Sequence, residues 1–284
     1  MTTKYAGFIG LGNIGQPMAQ HLNASNFPLM VFDHFPEAIA SLVEAGAKAA
    51  SNAAEIAQNC NYIGLCVRDD NDVNDLLYGD QGILEYSTAG TLIAIHSTVT
   101  QASLLRWASD AAAKDIHLID APMTGGANGA EAGTLCYMVG GESAQIEQCR
   151  PYLNTSAAKI IHAGNLGAGI ALKLCNNLIT YSQFTAMSEA TRLAEACGLS
   201  AEVLREVGKE NGVINEQMYM FISNRNALAA NGDQATIDKY MGPMGLLGEK
   251  DLNCALTTAA DLQLSLPATE VIRDMINDVF IAKA

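Results

Sequence analysis

The sequence predicts an α/β fold, a doubly wound parallel sheet followed by an all-α C-terminal domain, and three observations carry that expectation. Short apolar runs alternate with amphipathic stretches over the first part of the chain. A glycine-rich turn joins the first such run to the first such stretch. After Asn165 the strand signals stop, and apolar positions recur at the 3.6-residue period of helices.

In order, Tyr5 to Ile9, Leu29 to Phe32, Tyr62 to Val67, Leu92 to Ile95 and Ile116 to Ile119 read as buried strands, and Leu135 to Val139 and Lys159 to His162 as two more. Helical patterns fill the gaps at Ile14 to Ser25, Pro36 to Ala45, Ala53 to Asn59, Asp72 to Leu77 and Ala102 to Ala113. Beyond them, helices are expected at Gly169 to Ala196, Ala201 to Val207, Glu216 to Ala229, Met244 to Leu262 and Ala268 to Phe280. Gly198 is placed to end the first of these, Ser200 to cap the next, and Pro267 stands just before the last. The punctuation at Gly164 to Gly167 sets the expected domains at 1–164 and 165–284, with a long helix leading from one to the other. A cleft between domains is a favoured place for a ligand.

Composition narrows the function classes. A chain of 284 residues with 49% hydrophobic content supports two cored domains. A formal charge of −14 argues against binding nucleic acid phosphates or an anionic membrane surface, and it requires locally placed donors for any anionic substrate. The seven cysteines are odd in number and include no Cys-x-x-Cys pair, so they read as reduced thiols filling cores in a cytoplasmic protein. The N-terminus runs into glycines rather than an apolar signal core, and no charge-free span suits a membrane.

Gly10-Leu11-Gly12-Asn13-Ile14-Gly15 follows the first strand and opens a helix, the setting of a dinucleotide fingerprint. Gly10 permits the tight turn, Gly12 lets the backbone approach a pyrophosphate, and Gly15 allows close packing of helix on strand. Asp33, eighteen residues past Gly15, ends the second strand where a carboxylate accepts bonds from both ribose hydroxyls and repels a 2′-phosphate. No Arg stands nearby to clamp such a phosphate, so NAD is expected over NADP. The first domain is therefore read as Rossmann-type.

Two further features lie downstream. The stretch from Asp120 to Gly129 contains Thr124, Gly125 and Gly126, either an ordinary turn or a cradle in which a hydroxyl and two unobstructed amides hold a carboxylate. His96-Ser97-Thr98 is a second polar cluster at the same sheet edge, expected to reach nicotinamide or substrate. Lys173 is the only Asp, Glu, Lys or Arg between Ile160 and Ser188, on an otherwise mostly apolar helix, and Asn177 shares its face. It either snorkels its stem to water or is an amine tuned by burial for proton transfer.

Taken together, these motifs resemble the β-hydroxyacid dehydrogenase family, typified by 3-hydroxyisobutyrate dehydrogenase and tartronate semialdehyde reductase, over essentially the full length. The resemblance rests on the run Gly7 to Ala19, on Ser97-Thr98-Val99, on Asp120-Ala121-Pro122-Met123-Thr124-Gly125-Gly126, on Lys173-Leu174-Cys175-Asn176-Asn177 and on Lys250-Asp251-Leu252. It implies a catalytic lysine at Lys173 with Asn177 beside it, and substrate contacts at Ser97, Thr124, Gly125 and Gly126, with Asp251 close to the substrate. Cofactor contacts are implied at Asn13, Ile14, Val67, Asn71, Thr98 and Lys250, besides Gly10, Gly12, Gly15 and Asp33. Three positions depart from the family pattern: Thr124 replaces a serine, Ile95-His96 replaces an acidic residue, and Pro243 replaces an aromatic.

The implied chemistry is reversible hydride transfer between NAD and a small anionic 3-hydroxy acid, giving a semialdehyde or keto acid. Oxidation is expected to favour alkaline pH, because the substrate carboxylate raises the lysine pKa while desolvation lowers it. The resemblance also implies a homodimer or homotetramer. Competing readings are an oxidative decarboxylase, where relatives carry a glutamate at the position of Thr180, an imine reductase, a group that typically lacks the lysine, and a silent NAD-binding sensor or scaffold. His21, His117 and His162 lack metal-ligand spacing, so no metal is expected. Trp107 reads as core and Glu202 to Glu210 as a solvated face.

Overall fold

The computed structural model describes residues 5–25 and 27–283. They form two compact units, one ending at Lys173 and the other starting at Leu174. That division falls inside a helix, a few residues beyond the glycine punctuation at Gly164 to Gly167.

In chain order the first unit contains β1 (Tyr5–Ile9), α1 (Gly15–Ala24), β2 (Leu29–Phe32), α2 (Pro36–Glu44), β3 (Lys48–Ala49), α3 (Ala53–Asn59), β4 (Cys60–Leu65), α4 (Asp70–Tyr78) and α5 (Ile83–Tyr86). It continues with β5 (Leu92–Ile95), α6 (Gln101–Ala112), β6 (His117–Asp120), β7 (Met123–Thr124), α7 (Gly126–Glu131), β8 (Leu135–Gly140), α8 (Ser143–Leu153) and β9 (Ala157–Gly164). The strands form one sheet in the order β3-β2-β1-β4-β5-β6-β8-β7, with β9 paired to β8. Pairing is parallel from β3 through β6, and the sheet reverses where β8 runs antiparallel to β6 and β7. Strands such as Leu92-Ile93-Ala94-Ile95 are buried at every position, as expected where helices cover both faces. The chain winds outward from β1 in one direction to β2 and in the other to β4, so the topological switch point lies between β1 and β4.

The core of this unit gathers Phe8, Met18, Leu22, Val31 and Tyr137. Trp107 is fully buried, and its indole N–H donates to Asn74 Oδ1 at 2.8 Å. His96 corrects the sequence reading. It does not reach the sheet edge but is only 2% exposed, stacked between the rings of Phe8 and Tyr152. Its Nδ1 pairs with the Ala121 carbonyl at 2.9 Å. Burial pushes its pKa down to about 4. Space for the ring comes from Gly64, where an added Cβ would lie 2.1 Å from Tyr152 Oη and 3.1 Å from His96 Nε2.

Helix α9 (Ala168–Ala196) starts in the first unit and continues in the second, which adds α10 (Ala201–Glu210), α11 (Glu216–Asn231), α12 (Gln234–Asp261) and α13 (Pro267–Phe280). One buried cluster joins Tyr181, Phe184, Leu252, Ile276, Val279 and Phe280, and a smaller one joins Met187, Met218 and Ile222. Helix α12 starts ten residues before the expected Met244, because Asp233 caps it on the Thr236 amide and the helix accommodates Pro243 in its interior. Ser200 occupies the N-cap position of α10 but makes no side-chain capping bond. The cysteines are not all core filler. Cys175 lies exposed on α9 and Cys197 exposed just past its end, whereas Cys60, Cys149 and Cys254 are buried. Among the described residues no helix is long and apolar enough to cross a membrane.

Candidate active site

Gly10, Asp33, Val67, Ser97 and Thr98 stand just past the carboxyl ends of parallel strands, the edge at which this architecture binds ligands. Gly10 leaves β1 with φ +93°, and a Cβ there would strike the Cys66 carbonyl oxygen at 2.2 Å. Gly15 opens α1 so close to the strand that a Cβ would lie 1.9 Å from the Gly10 oxygen. Gly12, in contrast, is exposed, and a Cβ there would meet nothing within 4 Å. The first two glycines serve the fold, and the third leaves open space over a helix N-terminus, which fits the pyrophosphate of a dinucleotide. Asn13 and Ile14 complete the turn.

Asp33 sits at the end of β2 beside this turn. Its Oδ2 accepts the Leu11 amide at 2.6 Å and its Oδ1 the Phe35 amide at 2.9 Å, which fixes the carboxylate next to the glycine loop. Each oxygen retains a lone pair for a ribose hydroxyl.

Across the switch point, the Ser97 hydroxyl accepts the Val67 amide at 2.9 Å, tying the segment after β5 to that after β4. Ser97 is 4% exposed and Thr98 is half-buried. Asn71 is exposed at the start of α4, with its amide on Asp69 Oδ1 at 2.9 Å. Asp70 accepts from both the amide and the hydroxyl of Thr100, holding the same edge together.

The Thr124 segment is not a loop throughout. Met123 and Thr124 form β7 against β8, and Gly125 and Gly126 follow at φ +132° and +62°, exposed, at the opening of α7. Upstream, the fully buried Asp120 is a structural anchor that no local spacing announces. Its Oδ1 accepts the Gly167 amide at 2.8 Å and its Oδ2 the Ile170 amide at 2.7 Å, so it caps the helix that carries Lys173. Burial pushes its carboxyl above the ordinary range, opposed by those backbone amides. Glycines make room, since a Cβ at Gly140 would lie 2.4 Å from Asp120 Oδ1 and one at Gly169 2.8 Å from Oδ2. Lys173 itself is half-buried on the second turn of α9.

In the second unit, Asn177 is 6% exposed and donates through Nδ2 to Asp251 Oδ2 at 2.7 Å. The Tyr181 hydroxyl donates to the same oxygen at 3.1 Å. Lys250 Nζ lies 2.9 Å from Asp251 Oδ1, an ionic contact without hydrogen-bond angles. Asp251 is 3% exposed, so its charge is compensated rather than hydrated. Sequence reasoning missed Tyr181, although its spacing continues the series Lys173, Asn177, Tyr181 at one turn per step.

Residues 5–164 match the family model described as the NAD binding domain of 6-phosphogluconate dehydrogenase, and residues 167–282 match that described as NAD-binding of NADP-dependent 3-hydroxyisobutyrate dehydrogenase. The 2-(hydroxymethyl)glutarate dehydrogenase of Eubacterium barkeri is 35% identical, with 93% of this chain and 85% of that protein covered. The 3-hydroxyisobutyrate dehydrogenase of Pseudomonas aeruginosa is 34% identical, with 94% and 89% covered. The chain belongs to the β-hydroxyacid dehydrogenase family. Its fold is also that of a solved Mycobacterium tuberculosis 3-hydroxyisobutyrate dehydrogenase with L-serine, at TM-score 0.84, 27% identity and 99% coverage of both chains.

As a β-hydroxyacid dehydrogenase the protein is an oxidoreductase with an NAD-binding domain. Its N-terminal turn leaves open space at Gly12 over a helix end, with the Asp33 carboxylate fixed beside it. Helix α9 offers an amine and an amide one turn apart. Among the described residues, no group of three or more His, Cys, Asp or Glu is placed to hold a metal ion.

Proposed function

We propose that this β-hydroxyacid dehydrogenase oxidises small 3-hydroxy acids to semialdehydes or keto acids, and catalyses the reverse reduction, with Lys173 as general acid/base. The carrying observation is the pairing on α9 of a half-buried amine with Asn177, whose amide is held by the buried carboxylate of Asp251. NAD, when bound, supplies the hydride acceptor.

In this reading Lys173 Nζ takes the substrate hydroxyl proton during oxidation and returns it to the carbonyl oxygen during reduction. Asn177 orients the hydroxyl against Lys173. Ser97, Thr124 and the amides of Gly125 and Gly126 hold the carboxylate, supplying the local donors that a chain of net charge −14 needs. Gly10, Gly12, Asn13, Ile14, Gly15, Asp33, Val67, Asn71, Thr98 and Lys250 hold the cofactor, with NAD favoured over NADP by the Asp33 carboxylate. Asp251 stands beside the substrate through Asn177.

The names of the relatives narrow the substrate class. 3-Hydroxyisobutyrate, 2-(hydroxymethyl)glutarate and L-serine share a primary alcohol one carbon away from the carbon bearing the carboxylate, and they differ in the substituent on that carbon. We take the substrate to be such a hydroxymethyl acid. NADH formation at 340 nm with these three compounds and homologues, scored by kcat/KM, tests the proposal, and silence across the set with NAD bound would sink it.

Leu172, Ile179 and Leu193 are exposed on α9 at multiples of seven residues, an apolar stripe that supports a homodimer or homotetramer. Sedimentation equilibrium distinguishes the two from a monomer. Residence in the cytoplasm is the compartment we propose, in keeping with seven cysteines outside any disulfide.

A further inference from the structure

Tyr181 is the group around the candidate site that no motif singles out. It lies one turn beyond Asn177 on α9, with its ring 9% exposed and in edge contact with Phe184 and Phe280. On the facing helix α12, Gly248 makes room for the ring: a Cβ there would lie 3.1 Å from Tyr181 Cε1. Three residues further along α12 is Asp251, whose Oδ2 receives the Tyr181 hydroxyl. The ring is thus packed so that its one polar atom meets the carboxylate.

That carboxylate oxygen has two donors, Asn177 Nδ2 at 2.7 Å and Tyr181 Oη at 3.1 Å. An ionised carboxylate only accepts, so it admits the nitrogen side of the Asn177 amide and turns the carbonyl away. The carbonyl Oδ1 receives Asn176 Nδ2 at 3.4 Å. Rotation of the amide by half a turn would set two oxygens against each other, a buried arrangement with no compensating bond. The amide is therefore only as well oriented as Asp251 is. Lys250 restrains Asp251 from Oδ1 through a flexible stem whose side chain is 24% exposed, whereas Tyr181 restrains Oδ2 through a rigid, packed ring. Burial and the adjoining carboxylate both push the phenol pKa upward, so the hydroxyl keeps the proton it donates.

We infer that Tyr181 is a positioning residue for the proposed reaction, acting through Asp251 to hold the amide of Asn177 in the orientation that meets the substrate hydroxyl. The inference rests on the function proposed above. Tyr181→Phe deletes one hydroxyl and keeps the packed ring, so the variant should fold, with a thermal midpoint lowered by about 2–4 °C. Its kcat should fall about tenfold on the best hydroxymethyl acid while the KM for NAD stays unchanged. Asp251→Asn, of equal shape, should cost more, and the double variant should be no slower than Asp251→Asn alone, because residues acting in series are not additive.

A side-chain amide resonance for Asn177 that shifts and broadens in Tyr181→Phe gives a readout that overall stability would not move. Wild-type kcat in Tyr181→Phe would overturn the inference, as would a double variant whose loss is the product of the two single losses. Those outcomes leave the dehydrogenase reading standing. A wild-type protein silent on the whole substrate set would overturn both.

Discussion

Asp120 Oδ2 accepts the Ile170 amide at 2.7 Å, so the residue that ends β6 caps the helix that presents Lys173. The carboxylate satisfies two amides of a helix start that would otherwise be buried without partners. Asp120→Ala should therefore lower stability by about 2–3 kcal/mol, read as a shift of the urea midpoint at unchanged slope. It should also reduce kcat, since the first turns of α9 would fray beneath Lys173. An unchanged midpoint would show that water replaces the carboxylate at no cost.

The three glycines of the N-terminal turn differ in what surrounds them, which makes the proposed binding role separable from folding. Gly12→Ala adds a methyl where the fold has nothing within 4 Å, so its thermal midpoint should match that of the parent while NADH affinity drops at least about tenfold. Gly15→Ala drives a methyl into the Gly10 carbonyl and should fail to accumulate as folded protein. Fluorescence titration with NADH, beside melting curves of the two variants, checks both outcomes.

Asp33→Ser should raise kcat/KM with NADP relative to NAD, because the charge facing a 2′-phosphate is removed. The same change weakens the bonds to the Leu11 and Phe35 amides, so a modest fall in melting temperature should accompany it. A ratio that does not move would refute the role given to this carboxylate.

Lys173→Ala should reduce kcat by about 10²–10⁴-fold in both directions. NADH should still bind the variant, since the glycine turn and Asp33 do not depend on the amine. Turnover near that of the parent would remove Lys173 from proton transfer.

His96 supplies a pH test. Its folded pKa is pushed down to about 4 from 6.5, so the unfolded chain binds the extra proton between those values and stability falls as pH drops from 6.5 towards 4. His96→Phe should flatten that part of the stability profile, by up to about 3 kcal/mol over the window. Equal slopes for variant and parent would show that the folded ring takes up its proton as readily as the unfolded one, so that burial does not depress its pKa.

Much of this was legible in the chain because it depends on local spacing. The strand, glycine turn and helix from Tyr5 to Ala24, the acid at Asp33, and the pair Lys173 and Asn177 one turn apart all follow from periods of two and 3.6. What escaped depends on tertiary contact. The inward turn of His96 requires knowing that Gly64 on the neighbouring strand leaves space for its ring. The bond from Tyr181 to Asp251 joins positions 70 residues apart. Helix α12 begins ten residues ahead of the expected Met244, because its cap at Asp233 and its tolerance of Pro243 are settled by the packed helix and not by apolar periodicity.

The two outward cysteines, one on α9 and one just past its end, give the molecule a built-in ruler. Burial holds the Cys60, Cys66 and Cys149 thiols near 12, which leaves them unreactive at neutral pH. Cys175 stands on α9 and Cys197 one residue past its end, both facing solvent, 22 residues and so about 33 Å apart at the rise of a helix. A pair of spin labels on these native thiols would span a distance suited to pulsed dipolar spectroscopy, and would report bending of α9 without a single substitution.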